Sequence, residues 1–462
     1  MEKLPKSSNR GLVILSITIW IIILLLSDRG HIEGDGIVRW EALNTLMTEG
    51  RLTDDIYSIV QPMLAAPLYG IGYATARLID DEDDTRKRWT RHFVQRFNKI
   101  VAFSLVLWIF LTLRIAGRWS VRDSALAATF MLFGSLLIPH SKGFYSEGLW
   151  SLMSISALSM YCSMITYSNQ SYARWRAVLI AALIALTIPL NPMLLPVWAL
   201  TVGMWCIYHA VSDNKNSIYV LVREIPHFYL IPALGCVAGC GLTFLENRIR
   251  RGDILDFGYA EVGFTGDFLY GLAGQLFAPS RGIIYFIPVF FCGFILYRLY
   301  AHEMGAYLRR LTGLSLVFSL LLVAGYSKWV AWHGASYWGP RFLLFLSIAG
   351  TLYYVLLIRH HWPVGSLLQR ISLAGLGIIS YMIYKVGVSI SHRHLLVCLE
   401  QAPNPEACYW KWRFLPYYSW VDSGDLATML MHRSTLVEIL GAVFIYALLR
   451  TGHTNSKSTI KT

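Results

Sequence analysis

Repeated apolar runs, each close to the length needed to cross a bilayer as a helix, constrain this 462-residue chain more than any other feature. The clearest are residues 11–26, 100–115, 149–165, 282–299, 313–326 and 342–357. Their cores of roughly 14–18 residues approach, with aromatic flanks, the ~20 that a spanning helix requires. A transmembrane barrel would show short alternating segments instead, so these continuous runs predict helices. Composition agrees, with 55% hydrophobic and only 15% charged residues. The 16 Trp and 26 Tyr suit rings anchored at both membrane interfaces. The expected fold class is all-α, a polytopic transmembrane helical bundle of about 12–13 spans with a partly helical first extracytoplasmic loop.

Lys3, Lys6 and Arg10 ahead of the first run resemble a signal peptide. No small-x-small cleavage site follows, and the run continues into Leu24-Leu25-Leu26, which predicts a retained first helix with a cytoplasmic N-terminus. Residues 80–99 carry Arg86, Lys87, Arg88, Arg91, Arg96 and Lys99, the strongest positive-inside signal in the chain. They are expected inside, with 100–115 returning outside and 124–138, ended by Pro139, dipping in without crossing. Residues 139–147, 246–280, 328–340 and 391–433 then fall outside, as does the turn at Asn191-Pro192. Arg174, Arg176, Lys215, Arg223, residues 298–310 and 359–370 and the tail from Arg450 fall inside. The expected organisation is a membrane core over 1–390, an outer loop over 391–433, and a last helix with a cytoplasmic tail over 434–462. The expected location is the inner or plasma membrane, crossed many times.

The net charge of +12 is scattered between apolar spans, which argues for membrane lipid and phosphate as partners and against nucleic acid. The topology collects bases outside, including Arg29, Arg39, Arg118, Arg122, Lys142 and Arg250, and an outer anion site would explain them. Of seven cysteines, five lie in apolar runs as packing residues; Cys236 and Cys240 lack His or Asp companions, so no metal site is expected. Cys398 and Cys408 share one hydrophilic loop, where an oxidising compartment would join them.

Four outer segments carry candidate chemistry. The first loop, residues 27–73, begins Glu33-Gly34-Asp35-Gly36, an acid that flanking glycines let approach a substrate closely. An amphipathic stretch with Val38, Ala42, Leu43 and Leu46 at helical spacing follows it. The second segment runs from Pro139 through Lys142, Tyr145 and Glu147 into a helix. The third is Pro279-Ser280-Arg281-Gly282. The fourth runs from Trp329 through His333 to Trp338-Gly339-Pro340-Arg341. Arg281 and Arg341 both stand at helix starts, where the macrodipole favours anions rather than cations. Snorkelling to lipid headgroups explains either one singly. The pair on the face of Asp35 points to an anion site. His333 has no second ligand at a metal spacing and reads as a hydrogen-bonding wall residue.

In order and placement these segments resemble the GT-C superfamily of polytopic glycosyltransferases, which use polyprenyl-phosphate-linked sugars. That superfamily includes protein mannosyltransferases and lipid A aminoarabinose transferases, and the likeness is closer to bacterial members of unassigned function. The acid after helix one is Asp35. The pattern R-[YW]-x-x-A-x-x-L-x-x-x-G is approached from Arg39-Trp40 to Gly50, with Ala42 one residue early. The stretch P-x-x-x-x-P-x-Y-x-x-G runs from Pro62 to Gly72. K-x-x-x-S-E falls on Lys142 to Glu147, P-S-R-G on Pro279 to Gly282, and W-G-P-R on Trp338 to Arg341. The resemblance extends from helix one to about residue 358. It departs in the glycine-flanked single acid and in the absence of a large soluble C-terminal domain.

The resemblance implies a GT-C-like fold and an inverting membrane glycosyltransferase, hexosyl- or pentosyl-, acting on an extracytoplasmic acceptor such as a glycolipid, glycan or protein. Asp35 would be the general base, with Glu33 its runner-up and Glu147 a more distant one. Arg281, Arg341 and Lys142 would hold the donor phosphate, and Arg39, Tyr145, Glu147, Glu33 and His333 would line the site. No cofactor follows from the motifs, and a divalent metal stays open. The rivals are a transporter or flippase of an anionic lipid-linked substrate and a non-catalytic assembly protein. A transporter should show internal repeats and midplane charges, of which Lys385 is the one candidate.

Overall fold

Hydrocarbon offers no water to a backbone, so apolar runs must close their own hydrogen bonds, and helix is the regular structure this chain adopts among the described residues. The computed structural model describes residues 8–27, 30–80, 82–167, 173–212, 230–259, 263–334, 338–389, 393–416, 432 and 434–456. Arg29, Lys215, Arg223, Arg433, residues 335–337 and residues 417–431 of the last outer loop lie outside them. Six helices are long and apolar enough to cross a membrane, and shorter apolar helices accompany them, so the chain is a multi-pass membrane protein.

The end of α1 (Ser8–Leu26) meets the start of α5 (Phe97–Leu111). Lys99 Nζ donates to the Ser27 carbonyl at 2.5 Å. Gly30, at φ +82°, passes so close to Gln95 that a Cβ would stand 2.9 Å from its carbonyl oxygen. Asn98 donates to the Tyr145 carbonyl at 2.8 Å, and His31 bridges to Gly143. These contacts define one face of the bundle, called here the near face. Between them lie α2 (Asp35–Glu49), α3 (Val60–Ile79) and α4 (Asp83–Val94). Gln61, at the start of α3, donates to the Tyr145 carbonyl at 3.0 Å, and Arg91, late in α4, to the Ile32 carbonyl at 2.6 Å. The α3–α4 hairpin therefore leaves and rejoins the same face. Its second arm, DDTRKRWTRHFV, cannot cross hydrocarbon, so neither arm crosses.

This corrects the expectation that residues 80–99 lie opposite the first loop. Positive-inside counting applies to loops between spans, whereas these bases lie along an amphipathic helix preceded by acids. A second correction follows from it. After α5 and the wider π turn Thr112–Ala116, the chain reaches the far face. There Tyr167 donates to the Ala116 carbonyl at 3.0 Å, and Asp123 lies 3.8 Å from Arg359. Arg118 and Arg122 belong to this far face, not to the outer collection of bases. From there α6 (Val121–Gly134) and α7 (Leu137–Ser141) return to Gly143. Residues 124–138 therefore cross, in two pieces. The freed backbone at the break is satisfied by the helix Leu344–Val364: Ser347 Oγ accepts from Leu136 N at 2.8 Å, and Thr351 Oγ1 donates to the Gly134 carbonyl at 3.3 Å. The short, proline-ended run concealed that compensation.

Beyond Gly143 the helices alternate between faces: α8 (Glu147–Thr166), α9 (Ala173–Leu190), α10 (Leu194–Ser212) and α11 (Leu230–Arg251). The short α12 (Phe268–Phe277) stays at the near face. Then α13 (Ile283–Phe286) and α14 (Cys292–Tyr300) form one passage broken at Pro288, followed by α15 (Ala306–Lys328), α16 (Leu344–Val364) and α17 (Leu367–Ser389). α18 (Arg393–Gln401) lies in the last near-face loop, and α19 (Ser434–Ser456) descends again. Asn191 bonded to Tyr326 at 2.6 Å marks the near face, and Arg310 bonded to the Ile165 carbonyl at 2.6 Å marks the far one. α8 and α16 are the most enclosed spans. The buried Ser151, Ser154, Ala157 and Ser159 of α8 let its neighbours approach closely. Lys385 meets Glu438 at 2.8 Å, with Ser434, Thr435 and Tyr381 completing the bonds, one turn below the near-face ends of α17 and α19.

Cys398 and Cys408 form a disulfide with Cα atoms 6.1 Å apart, tying α18 to the turn Pro405–Trp410. Alkylation of denatured, unreduced protein should modify the other five cysteines and spare these two until a reductant is added. Two free thiols at 398 and 408 in protein from an oxidising compartment would contradict the pairing. For the topology, single cysteines at Arg88 and Glu49 should label from one side of the membrane and one at Arg118 from the other. Labelling of Arg88→Cys from the side of Arg118→Cys would overturn the arrangement of α3 and α4.

Candidate active site

The site begins with the way the chain enters α2. Gly34 precedes the helix at φ +51°, a conformation that glycine adopts at little cost. Asp35 is then the first helical residue, where the macrodipole favours an anion. Arg341 Nη2 donates to Asp35 Oδ2 at 2.6 Å. Arg341 belongs to the turn Arg341–Leu343 that leads into α16, and its Nε lies 3.5 Å from Glu147 Oε1 at the start of α8. That distance makes the second contact one of charge rather than a hydrogen bond. One guanidinium thus sits between two carboxylates, with the Tyr145 ring 5.2 Å from its carbon. Arg39, one turn along α2, stacks over Tyr57 at 4.0 Å and reaches Ser146 Oγ at 3.3 Å.

Burial raises the Asp35 carboxyl pKa, but the charges of Arg341 and Arg39 outweigh it and hold the group below its ordinary value of 3.8. The Tyr57 hydroxyl donates to Asp35, and burial together with the Asp35 charge pushes the phenol far up, so it remains a neutral donor.

Tyr57 is held by α11. Arg250 donates to the carbonyls of Thr53, Tyr57 and Asp55 at 2.6, 2.7 and 3.0 Å, and pairs with Glu246 at 2.5 Å and Asp55 at 3.1 Å. Glu246 in turn accepts from Ser58 Oγ at 2.9 Å and Ile59 N at 2.8 Å. The last turn of α11 therefore fixes the second half of the first loop over α2.

Asp35, Arg39, Tyr57, Glu147 and Arg341 line a cavity of about 490 Å³, within the ~300–1,000 Å³ usual for small-molecule sites. Trp150, Tyr259, Phe264, Tyr326 and Trp329 add aromatic lining, and Asn191, Glu246, Asn247 and Arg251 further polar lining. Glu147 Oε2 is buried without a hydrogen-bond partner. Among the described residues no three of His, Cys, Asp and Glu gather as a metal site would require.

The remaining candidates stand around this cavity rather than in it. Tyr145 lies beneath Arg341 and donates to the Glu33 carbonyl at 3.2 Å, while the Glu33 side chain is exposed. Arg281, 2% exposed, donates to the Ser280 carbonyl at 3.0 Å and lies 5.2 Å from the Tyr409 ring. His333 stacks on the other partner of that cluster, Tyr409, with centroids 4.2 Å apart. Burial lowers Arg281 to about 10, with the nearby Arg341 charge adding to the effect. Burial and the charges of Arg281 and Arg341 lower His333 to about 3, so its ring is neutral at pH 7. Lys142 donates to the Gly387 and Val388 carbonyls at the end of α17. Sequence reasoning missed Tyr57, Tyr259, Tyr326 and Glu246. Only Asn191, on a proline-broken turn, carried a local signal.

No protein-family model matches the chain, and no curated protein matches it in sequence. Solved structures do match in fold. ArnT from Cupriavidus metallidurans in the apo state has a TM-score of 0.50 at 14% identity, covering 96% of this chain and 77% of its own. The same protein bound to undecaprenyl phosphate has a TM-score of 0.52 at 11% identity, covering 95% and 77%. At such identities the likeness concerns the path of the backbone. That path, with its helical spans and its partly helical first loop, gives this chain a GT-C-like fold.

Proposed function

We propose that this chain is an inverting glycosyltransferase. It moves a hexosyl or pentosyl group from a polyprenyl-phosphate donor to a glycolipid, glycan or protein acceptor. In this reading the near face is extracytoplasmic and the N-terminus cytoplasmic, in the cell membrane. The observation that carries it is Arg341 held between Asp35 and Glu147 at the wall of a near-face cavity. The fold adds support, since one of the similar ArnT structures is bound to undecaprenyl phosphate.

The donor phosphate competes with Asp35 for Arg341, because both are anions seeking the same guanidinium fork. Arg39 lies one turn away, and Arg281 adds positive charge from behind the wall. Binding of the phosphate frees the Asp35 carboxylate and removes the cation that depressed its basicity. The acceptor hydroxyl then gives its proton to Asp35 as its oxygen attacks the anomeric carbon. The bond from that carbon to the phosphate oxygen breaks, and the lipid phosphate leaves with the electron pair, stabilised by the arginines. Glu147 keeps Arg341 in place once Asp35 lets go. Lys142 ties the near-face end of α17 to the first loop, where His31 N donates to the Lys142 carbonyl, and supports the site from outside.

Asp35→Asn should lower transfer from a polyprenyl-phosphate sugar by ~10²–10⁴ while the protein still folds and still binds donor, at least as tightly because the competitor for Arg341 is gone. Glu33→Gln should change little, because that side chain is exposed. Arg341→Ala should weaken both donor binding and rate. If Asp35→Asn transfers normally and Glu33→Gln does not, the base is wrong. If purified protein binds a lipid-linked sugar but moves it to no acceptor, the transporter or flippase reading replaces this one.

The pH profiles give an independent check. In the free protein Asp35 ionises below 3.8, so its contribution to kcat/KM persists down through mild acid and is lost only below that value. In the donor complex the phosphate takes Arg341, so the acid limb of kcat should lie at higher pH than that of kcat/KM. Superimposed limbs would show that Asp35 keeps its ion pair throughout turnover.

A further inference from the structure

The acid that begins α8 is buried with its bonding unfinished. Glu147 is 5% exposed. Among the described residues its Oε2 has no hydrogen-bond partner, and its Oε1 has the charge contact with Arg341 Nε at 3.5 Å. Arg341 Nε is likewise buried without a hydrogen bond. The macrodipole at the start of α8 favours the charge of Glu147 but gives its oxygens no donor. A buried polar group left in this state costs free energy, and a charged one costs more. Both side chains line the cavity, and the last torsion of a Glu side chain is soft, so either carboxylate oxygen can turn to it.

The neighbours of Glu147 decide what completes it. A divalent cation there would stand beside the like charge of Arg341, which already lies 2.6 Å from Asp35 and 3.5 Å from Glu147. A neutral hydroxyl meets no such repulsion. A carboxylate only accepts and a guanidinium only donates, so a hydroxyl, which does both, suits the pair. In the reaction proposed above, on which this step rests, the donor phosphate takes the Arg341 Nη2 that holds Asp35. Glu147 stands at Nε, the neighbouring position of the same guanidinium. The hydroxyl it receives therefore lies close to the phosphate along the sugar. The anomeric carbon has two neighbours in the ring: the ring oxygen, which has no proton to give, and carbon 2.

We infer that Glu147 is a specificity residue that accepts a hydrogen bond from the 2-hydroxyl of the transferred sugar, with Arg341 Nε donating to the same oxygen. The substrate class narrows accordingly to sugars with a free hydroxyl at carbon 2. A bond to that hydroxyl also strengthens as positive charge develops at the anomeric carbon, so it assists transfer as well as binding.

The test uses the full chain in lipid nanodiscs and polyprenyl phosphate carrying glucose, galactose or xylose, each with its 2-deoxy and 3-deoxy forms. Affinity is read against polyprenyl phosphate without sugar. The sugar that binds best should lose ~10-fold or more when its 2-hydroxyl is removed, as expected of a hydrogen bond to a charged group. In Glu147→Gln, whose amide oxygen is a weaker acceptor, that loss should shrink to ~3-fold or less. If Glu147 only holds Arg341 in place, the substitution weakens the parent and 2-deoxy donors equally and their ratio stays as it was. An unchanged ratio would therefore overturn the inference. So would a larger loss from the 3-deoxy form, or a panel in which no sugar binds better than the bare carrier. Should Glu147→Gln fail to fold, the 2-deoxy and 3-deoxy losses in the unsubstituted protein decide the matter. Sugar transfer without discrimination at carbon 2 removes this inference and keeps the reaction; failure of every polyprenyl-phosphate sugar to bind removes both.

Discussion

A guanidinium shared by two carboxylates holds the near face together. Arg341, Asp35 and Glu147 come from parts of the chain separated by more than a hundred residues, and each begins a helical segment. Burying any one of these charges alone would cost several kcal/mol, whereas the trio offsets much of that cost. The starts of α2, α8 and α16 therefore have to converge, and with them the loops that precede each helix. The cavity is the space left where those starts meet.

Elsewhere the molecule uses main-chain acceptors at helix ends to hold cations. Lys142 rests on the carbonyls ending α17, Lys99 on the carbonyl ending α1, and Arg310 on the one near the end of α8. Each occupies the C-terminal end of a helix, where unsatisfied carbonyls and the macrodipole both favour positive charge. Lys142, one of the bases that looked like an anion-binding collection, is thus a helix C-cap. The arginines at helix starts have no such use, and Arg341 is the one at the cavity.

This separates what was legible in the sequence from what was not. The spans, the disulfide and the placing of Asp35, Arg39, Glu147 and Arg341 beside glycine or polar turns followed from hydropathy and local chemistry. The side of the membrane on which α4 lies did not, because six bases in twenty residues read alike in a cytoplasmic loop and on an interfacial helix. The crossing by α6 and α7 stayed hidden because its compensation, Ser347 and Thr351, lies more than 200 residues away. Tyr57 and Glu246 were invisible for the same reason. Their roles exist only once α11 is laid against the first loop, 187 residues from its partner at Ile59.

The Arg250 clamp has a consequence for how such a loop can vary. Its guanidinium donates to the carbonyls of Thr53, Asp55 and Tyr57 and pairs with Asp55 and Glu246, with no exposed side-chain surface. The backbone around Tyr57 is therefore positioned by a distant helix rather than by the residues that lead up to it. Between the end of α2 at Glu49 and the first clamped residue, Thr53, the chain passes through an exposed turn with no comparable restraint. Insertions there would lengthen a tether between two fixed points at a modest entropic cost that grows only slowly with length. A chain of this architecture can thus reshape the rim of its cavity while Tyr57 and Asp35 keep their register.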